Sequence, residues 1–151
     1  MIVQRRRFLM TSGAGLAMLP ILVRPARATP DAVAEKIREV VGEAEPKAGR
    51  IKLDIPLMVE NGNSVPITVT LDAPMTGPAR AESLHVFAEG NPLPNVAHFT
   101  FGPRAGKAQV QTRIRLATSQ TVIAIGKLAD GSCWRDSVEL MVTLAACIEG
   151  T

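Results

Sequence analysis

Few side chains in this chain could do chemistry. Its 151 residues hold two cysteines, Cys133 and Cys147, and two histidines, His85 and His98. Cys147 stands four places from the end, in Ala145-Ala146-Cys147-Ile148-Glu149-Gly150-Thr151. Sulfur there could form exchangeable covalent bonds, for which the thiolate is the reacting species. The nearest charges in sequence are Glu149 and the terminal carboxylate, both negative. Negative neighbours disfavour a thiolate, so the tail does not read as a self-activated nucleophile. It reads as a handle that another protein's site must activate, not as an enzyme.

The remaining groups point elsewhere. His85 and His98 each stand alone within a strand, and no His/Cys pair has metal-ligand spacing. No Ser/His/Asp pattern or glycine-rich phosphate loop is present. Neither a metal nor another cofactor is expected. Cys133, beside Trp134 at the start of a strand, reads as a small core residue. Arg113 and Arg115 share one strand face, which is either solvated or a docking ridge for an acidic partner. Eleven strand residues separate Cys133 from the tail, roughly 35 Å at 3.3 Å per residue. A disulfide needs Cα atoms within about 7 Å, so Cys147 is expected to be free or paired with another molecule.

The elements that must position Cys147 are mostly strands. In Val138-Glu139-Leu140-Met141-Val142-Thr143-Leu144 apolar residues alternate with others, the period of a half-buried strand. Similar stretches run from Ile51 to Leu57, Val65 to Leu71, Leu84 to Glu89, Val96 to Phe101 and Ala108 to Ala117. Thr121 to Leu128 is nearly all apolar and is expected to be buried on both faces. Glu60-Asn61-Gly62-Asn63 reads as a hairpin-type turn, and Pro56 suggests an edge. Ahead of the strands, Val33, Ile37, Val40, Val41 and Ala44 mark one face of a short helix. Thr29 suits its N-cap, Pro30 its first position and Gly42 its stop. The pattern predicts an all-β fold, a seven-stranded antiparallel sandwich of immunoglobulin-like type preceded by one short helix. Residues 29–45 form the helix, 46–144 the sandwich and 145–151 the cysteine-bearing tail. Rooted at Leu144 and extended, that tail places the thiol about 10 Å beyond the sheet.

Charge is divided unevenly. Five of the 17 basic residues, Arg5, Arg6, Arg7, Arg24 and Arg27, fall in residues 1–28, which hold no acid. The rest keeps 12 basic against 14 acidic side chains, a net charge of −2. With aromatics at 3%, stacking platforms and a basic face for nucleic acid are both missing. Residues 1–28 have the anatomy of an export signal: a basic start, an apolar run from Phe8 to Val23 and Ala26-Arg27-Ala28 as the cleavage site. The run is too short to span a bilayer, and Arg5-Arg6-Arg7-Phe8-Leu9 resembles the twin-arginine pattern. The expectation is a folded, periplasmic protein beginning near Thr29, with no membrane span after signal removal.

From about Ile51 onward the chain resembles the SoxY family of periplasmic sulfur carriers. The matching stretches are Ile55-Pro56-Leu57-Met58-Val59-Glu60-Asn61-Gly62, Val65-Pro66, Asn91-Pro92-Leu93-Pro94, Thr112-Arg113-Ile114-Arg115-Leu116-Ala117 and Asp130-Gly131-Ser132. The resemblance implies that sulfur intermediates of thiosulfate oxidation are carried on Cys147. It also implies a heterodimer with a SoxZ-like sandwich. Three partner enzymes are implied as well: a cytochrome that attaches thiosulfate, a hydrolase that releases sulfate and a sulfur dehydrogenase. The family ends in Gly-Gly-Cys-Gly-Gly, whereas Ala145, Ala146, Ile148 and Glu149 flank the cysteine here, with Gly150 following. That departure keeps a second reading open: a SoxYZ-like accessory protein of a periplasmic quinoprotein dehydrogenase, without covalent sulfur chemistry. A third is a sandwich whose Cys147 only links subunits.

Overall fold

A computed structural model describes residues 28–146. The expected leader, apart from Ala28, and Cys147, Ile148, Glu149 and Gly150 lie outside the described residues.

The helix forms where the sequence signals place it. In α1, Pro30–Val41, Thr29 is the N-cap and its Oγ1 accepts the Ala32 N–H at 3.2 Å. Pro30 occupies the first turn, where a missing N–H costs nothing. Gly42 ends the helix at φ 64°, a conformation costly for other residues, and its N–H closes on the Arg38 carbonyl at 2.8 Å. Val33, Ile37 and Val41 are buried on one face.

Nine strands follow: β1 Lys47–Ala48, β2 Ile51–Asp54, β3 Met58–Asn61, β4 Val65–Leu71, β5 Ala81–Ala88, β6 Asn95–Thr100, β7 Gln109–Ile114, β8 Gln120–Leu128 and β9 Cys133–Leu144. They build two sheets. The larger runs β1-β9-β8-β5-β6 with β3 also on β9, and the smaller runs β2-β4-β7. Between the sheets lie Leu53, Val65, Ile67, Val69 and Leu71 from the small sheet. Against them pack Leu84, Val86, Val122, Ala124 and Leu140 from the large one. Fully burying such a side chain contributes about 1.5–3 kcal/mol, so this layer dominates the stability. Asp136 points into it from β9, and its Oδ2 accepts the Leu53 N–H at 2.7 Å, a polar tie between the sheets.

Two features correct the sequence reading. Among the described residues the strands number nine, and β1 and β3 both pair with β9 in parallel, so the sandwich is not wholly antiparallel. The residues around Asn61-Gly62 do not close a hairpin. They form a corner at which the chain leaves β3 in the large sheet and enters β4 in the small one. The expectation failed because the Asn-Gly signal reports a turn but not which strands it joins. The helix is covered by the domain itself. Its apolar face lies on the outer side of the large sheet against Phe87, Ile123, Ile125 and Cys133. This explains the unbroken apolar run of β8: Val122 and Ala124 face the small sheet while Ile123 and Ile125 face the helix. No helix among the described residues is long and apolar enough to cross a membrane.

Candidate functional site

β9 connects the two cysteines. Cys133 opens it and is only 2% exposed, within the cluster beneath α1. Its Sγ lies 3.7 Å from the Gly131 carbonyl. Burial pushes the thiol above its ordinary pKa, with Lys127 opposing and Asp130 and Glu82 reinforcing. A thiol held protonated in an apolar cluster is inert. The continuous twelve-residue strand separates Cys133 from Leu144 by roughly 36 Å, so a bond between the two cysteines is out of reach.

The other end of β9 is fastened by a ladder of main-chain bonds. The Gly62 N–H donates to the Leu144 carbonyl at 2.8 Å, the Leu116 N–H to the Gly62 carbonyl at 2.8 Å, and the Ala146 N–H to the Leu116 carbonyl at 3.1 Å. Gly62 fits because it has no side chain. A Cβ there would collide with the Leu116 carbonyl oxygen and stand 2.9 Å from the Ala146 nitrogen. Ser119 extends the β8–β9 pairing by one rung, its Oγ accepting the Val142 N–H at 2.9 Å. The root of the tail is therefore Ala146, itself buried, and not Leu144. The expected span beyond the sheet shrinks by two residues, because the Leu144 carbonyl and the Ala146 N–H find partners at the sheet corner.

Leu116 is held in turn by Asn91. The Asn91 Oδ1 accepts the Ala117 N–H at 2.9 Å and the Gln120 Nε2 at 3.0 Å, while its Nδ2 donates to the Arg115 carbonyl at 2.9 Å. Gln120 is buried and also binds the Gly90 N–H and the Thr118 carbonyl. The Asn91-Pro92-Leu93-Pro94 stretch thus locks the β7–β8 connection, and that connection holds the tail root. Ala28 closes the same region, donating its N–H to the Asn91 carbonyl at 2.8 Å.

Beside the root, the outer edge of the large sheet is apolar. Met58 pairs in register with Met141, and both are exposed, as are Leu57 and Leu144. A shallow groove continues from Leu57 and Met141 past Glu139, Thr121 and Glu89 to Pro30. Exposed apolar strips of this kind mark contact surfaces. Sequence reasoning missed this strip, because the Glu60-Asn61-Gly62-Asn63 turn signal masks the strand that precedes it. Arg113 is exposed and reaches Ser64 Oγ at 3.2 Å. Arg115, also exposed, lies beyond the end of β7. His85 and His98, separated by twelve residues in sequence, meet across β5 and β6.

Comparison with known proteins agrees with this architecture. The family profile described as "Sulfur oxidation protein SoxY" matches residues 37–147. Among solved structures, the sulfur carrier protein SoxY from Chlorobium limicola f thiosulfatophilum is 27% identical with a TM-score of 0.60, covering 74% of this chain and 96% of its own. A variant of the superoxide reductase (neelaredoxin) from Ignicoccus hospitalis is 18% identical with a TM-score of 0.55, covering 76% and 92%. The superoxide reductase from Nanoarchaeum equitans is 15% identical with a TM-score of 0.53, covering 64% and 100%. The two reductases share the fold alone. Among curated proteins none matches the sequence. With a profile match that spans most of the chain and takes in Cys147 as its last residue, this protein belongs to the SoxY family.

Proposed function

We propose that the protein is a periplasmic carrier that holds sulfur covalently on Cys147 during thiosulfate oxidation, as the SoxY of Chlorobium limicola is named a sulfur carrier. The observation that carries this reading is the built root at Ala146, placed one peptide bond before the cysteine. In the carrier cycle the Cys147 thiolate and thiosulfate join through a new S–S bond, and two electrons leave to a cytochrome. Water then cleaves the terminal S–S bond, releasing sulfate and two protons and leaving a persulfide. A sulfur dehydrogenase oxidises the outer sulfur of that persulfide with three waters, removing six electrons and six protons. A second hydrolysis frees the thiolate. The protein supplies position and the partners supply activation, because Glu149, two residues on in sequence, opposes the thiolate.

Export by the twin-arginine route and pairing with a SoxZ-like subunit belong to the same proposal. The leader supports the first. The Leu57–Met58–Met141 strip supports the second by offering apolar surface that α1 does not cover. The non-glycine tail favours a second reading, an accessory protein of a quinoprotein dehydrogenase without sulfur on Cys147. Intact-mass spectrometry after incubation with thiosulfate and the partner enzymes separates them. Sulfur-bearing adducts that vanish in Cys147→Ser support the carrier. Full thiosulfate turnover in Cys147→Ser rejects it.

A further inference from the structure

The groove beside the tail root begins at the last residue of the expected leader. Ala28 is only 8% exposed and forms the groove wall together with Pro30, Glu89 and Gly90. Its methyl packs in the cluster beneath α1, and its N–H donates to the Asn91 carbonyl at 2.8 Å. Thr29 is committed on the other side. Its Oγ1 accepts the Ala32 N–H and its carbonyl accepts the Val33 N–H at 3.0 Å. The Ala28–Thr29 peptide bond, where the leader is expected to be cut, is thus fastened at both ends. The groove also has a definite character. The charged side chains that line it are Glu89 and Glu139, both acidic, and Leu57, Leu140 and Met141 supply apolar wall.

We propose that in the uncut chain this groove seats the end of the leader, Val23-Arg24-Pro25-Ala26-Arg27, so that the folded domain holds its own cleavage site. The inference rests on the reading of residues 1–28 as an export signal. Residue 27 is one peptide bond from Ala28, about 3.8 Å between Cα atoms, so the leader meets the domain at this wall. Arg24 and Arg27 complement Glu89 and Glu139, while Val23, Pro25 and Ala26 suit the apolar wall. The C-terminal tail also leaves the domain nearby, but Glu149 would add a third acid to the two already there. A peptidase must grip residues on both sides of the bond it cuts. Cutting therefore waits for Ala28 to leave its seat, and its rate follows the population of the opened form.

The test uses the full folded precursor and a variant altered in the domain alone, Glu89→Lys with Glu139→Lys, so that the leader sequence stays intact. Glu139 is exposed and Glu89 partly so, and melting temperatures check that both precursors fold. Purified signal peptidase should cut the variant at least about threefold faster than the parent, an effect that two exposed ion pairs can supply. A peptide of residues 18–34 has no groove and should be cut faster than either. Amide NMR of the precursor gives an independent readout. Arg24→Glu with Arg27→Glu should move the Thr121 and Leu140 signals toward their positions in the chain beginning at Thr29. Adding Glu89→Lys and Glu139→Lys to that pair should move them back. Equal cutting of the two folded precursors, when the peptide is cut, overturns the proposal. So do NMR signals that ignore the arginines, or a contact that disappears on dilution, which would assign the groove to a second copy of the chain. If the peptide itself is not cut, the leader reading fails, and the NMR result alone decides whether the segment docks.

Discussion

The two ends of β9 differ in what surrounds them, and the difference decides what each cysteine can do. At the first end, α1 lies across the sheet and Cys133 is buried beneath it with Phe87, Ile123 and Ile125. At the far end no helix among the described residues covers the sheet: Leu57, Met58, Met141 and Leu144 stand exposed, and bonds to Gly62, Leu116 and Ser119 fasten the chain. One strand thus begins at a sulfur held in packing and leads to a fastened point at Ala146, one residue before the other cysteine. Burial makes the first thiol unreactive, whereas the second end is fixed in position without being enclosed.

The comparison is most directly broken by thiol labelling. Cys147 is expected to react with a maleimide at the rate of a solvent thiol. Cys133 must wait for opening of the helix-side cluster, which makes it about a thousandfold slower or more if that opening approaches global unfolding. Comparable labelling rates under native conditions would erase the distinction. The next effect is at the corner. Gly62→Ala should cost about 2–3 kcal/mol through overpacking, because the colliding atoms are backbone. It should also loosen Ala146, seen as lost amide protection there. A stable variant with Ala146 still protected would show that the corner can yield.

Asn91→Ala tests the connection one step further away. It removes the partners of Ala117 and Gln120 and should cost about 1–3 kcal/mol per group left unsatisfied. Amide exchange should rise across residues 115–119 before it rises in β5. The smallest effect concerns acid. His85 has a folded pKa of about 4 against 6.5 unfolded, so between those values the unfolded chain binds a proton that the folded chain refuses. Stability contributed by neutral His85 is therefore present above pH 6.5 and falls away toward pH 4. His85→Gln should flatten the denaturation midpoint over that window relative to the parent, and an unchanged slope would exclude His85 as the cause.

How much of this was legible follows from range. α1 was readable from Thr29, Pro30 and Gly42 because caps act within a few residues. The burial of Cys133 and the two-faced burial of β8 were readable from local apolar composition. The parallel pairing of β3 was not, since Met58 and Met141 are distant in sequence and nothing local records their contact. The same holds for Leu116 with Ala146 and for His85 with His98. The pattern after Leu144 identifies a tail but cannot locate its root, because that root depends on a carbonyl thirty residues earlier. The Asn91 stretch is visible in the sequence as a family resemblance, and its physical work emerges only from the bonds its amide makes.

The Ala146–Leu116 bond also sets where the fixed chain ends. With the bond closed, the last fixed point is Ala146. With it open, that point moves back to Leu144, two residues earlier. A net hydrogen bond contributes about 1 kcal/mol, which favours the closed form by only about fivefold before the burial of the Ala146 methyl is added. A pull on the chain at Ala146 can therefore open the bond at small cost, and the bond can close again once the pull ends.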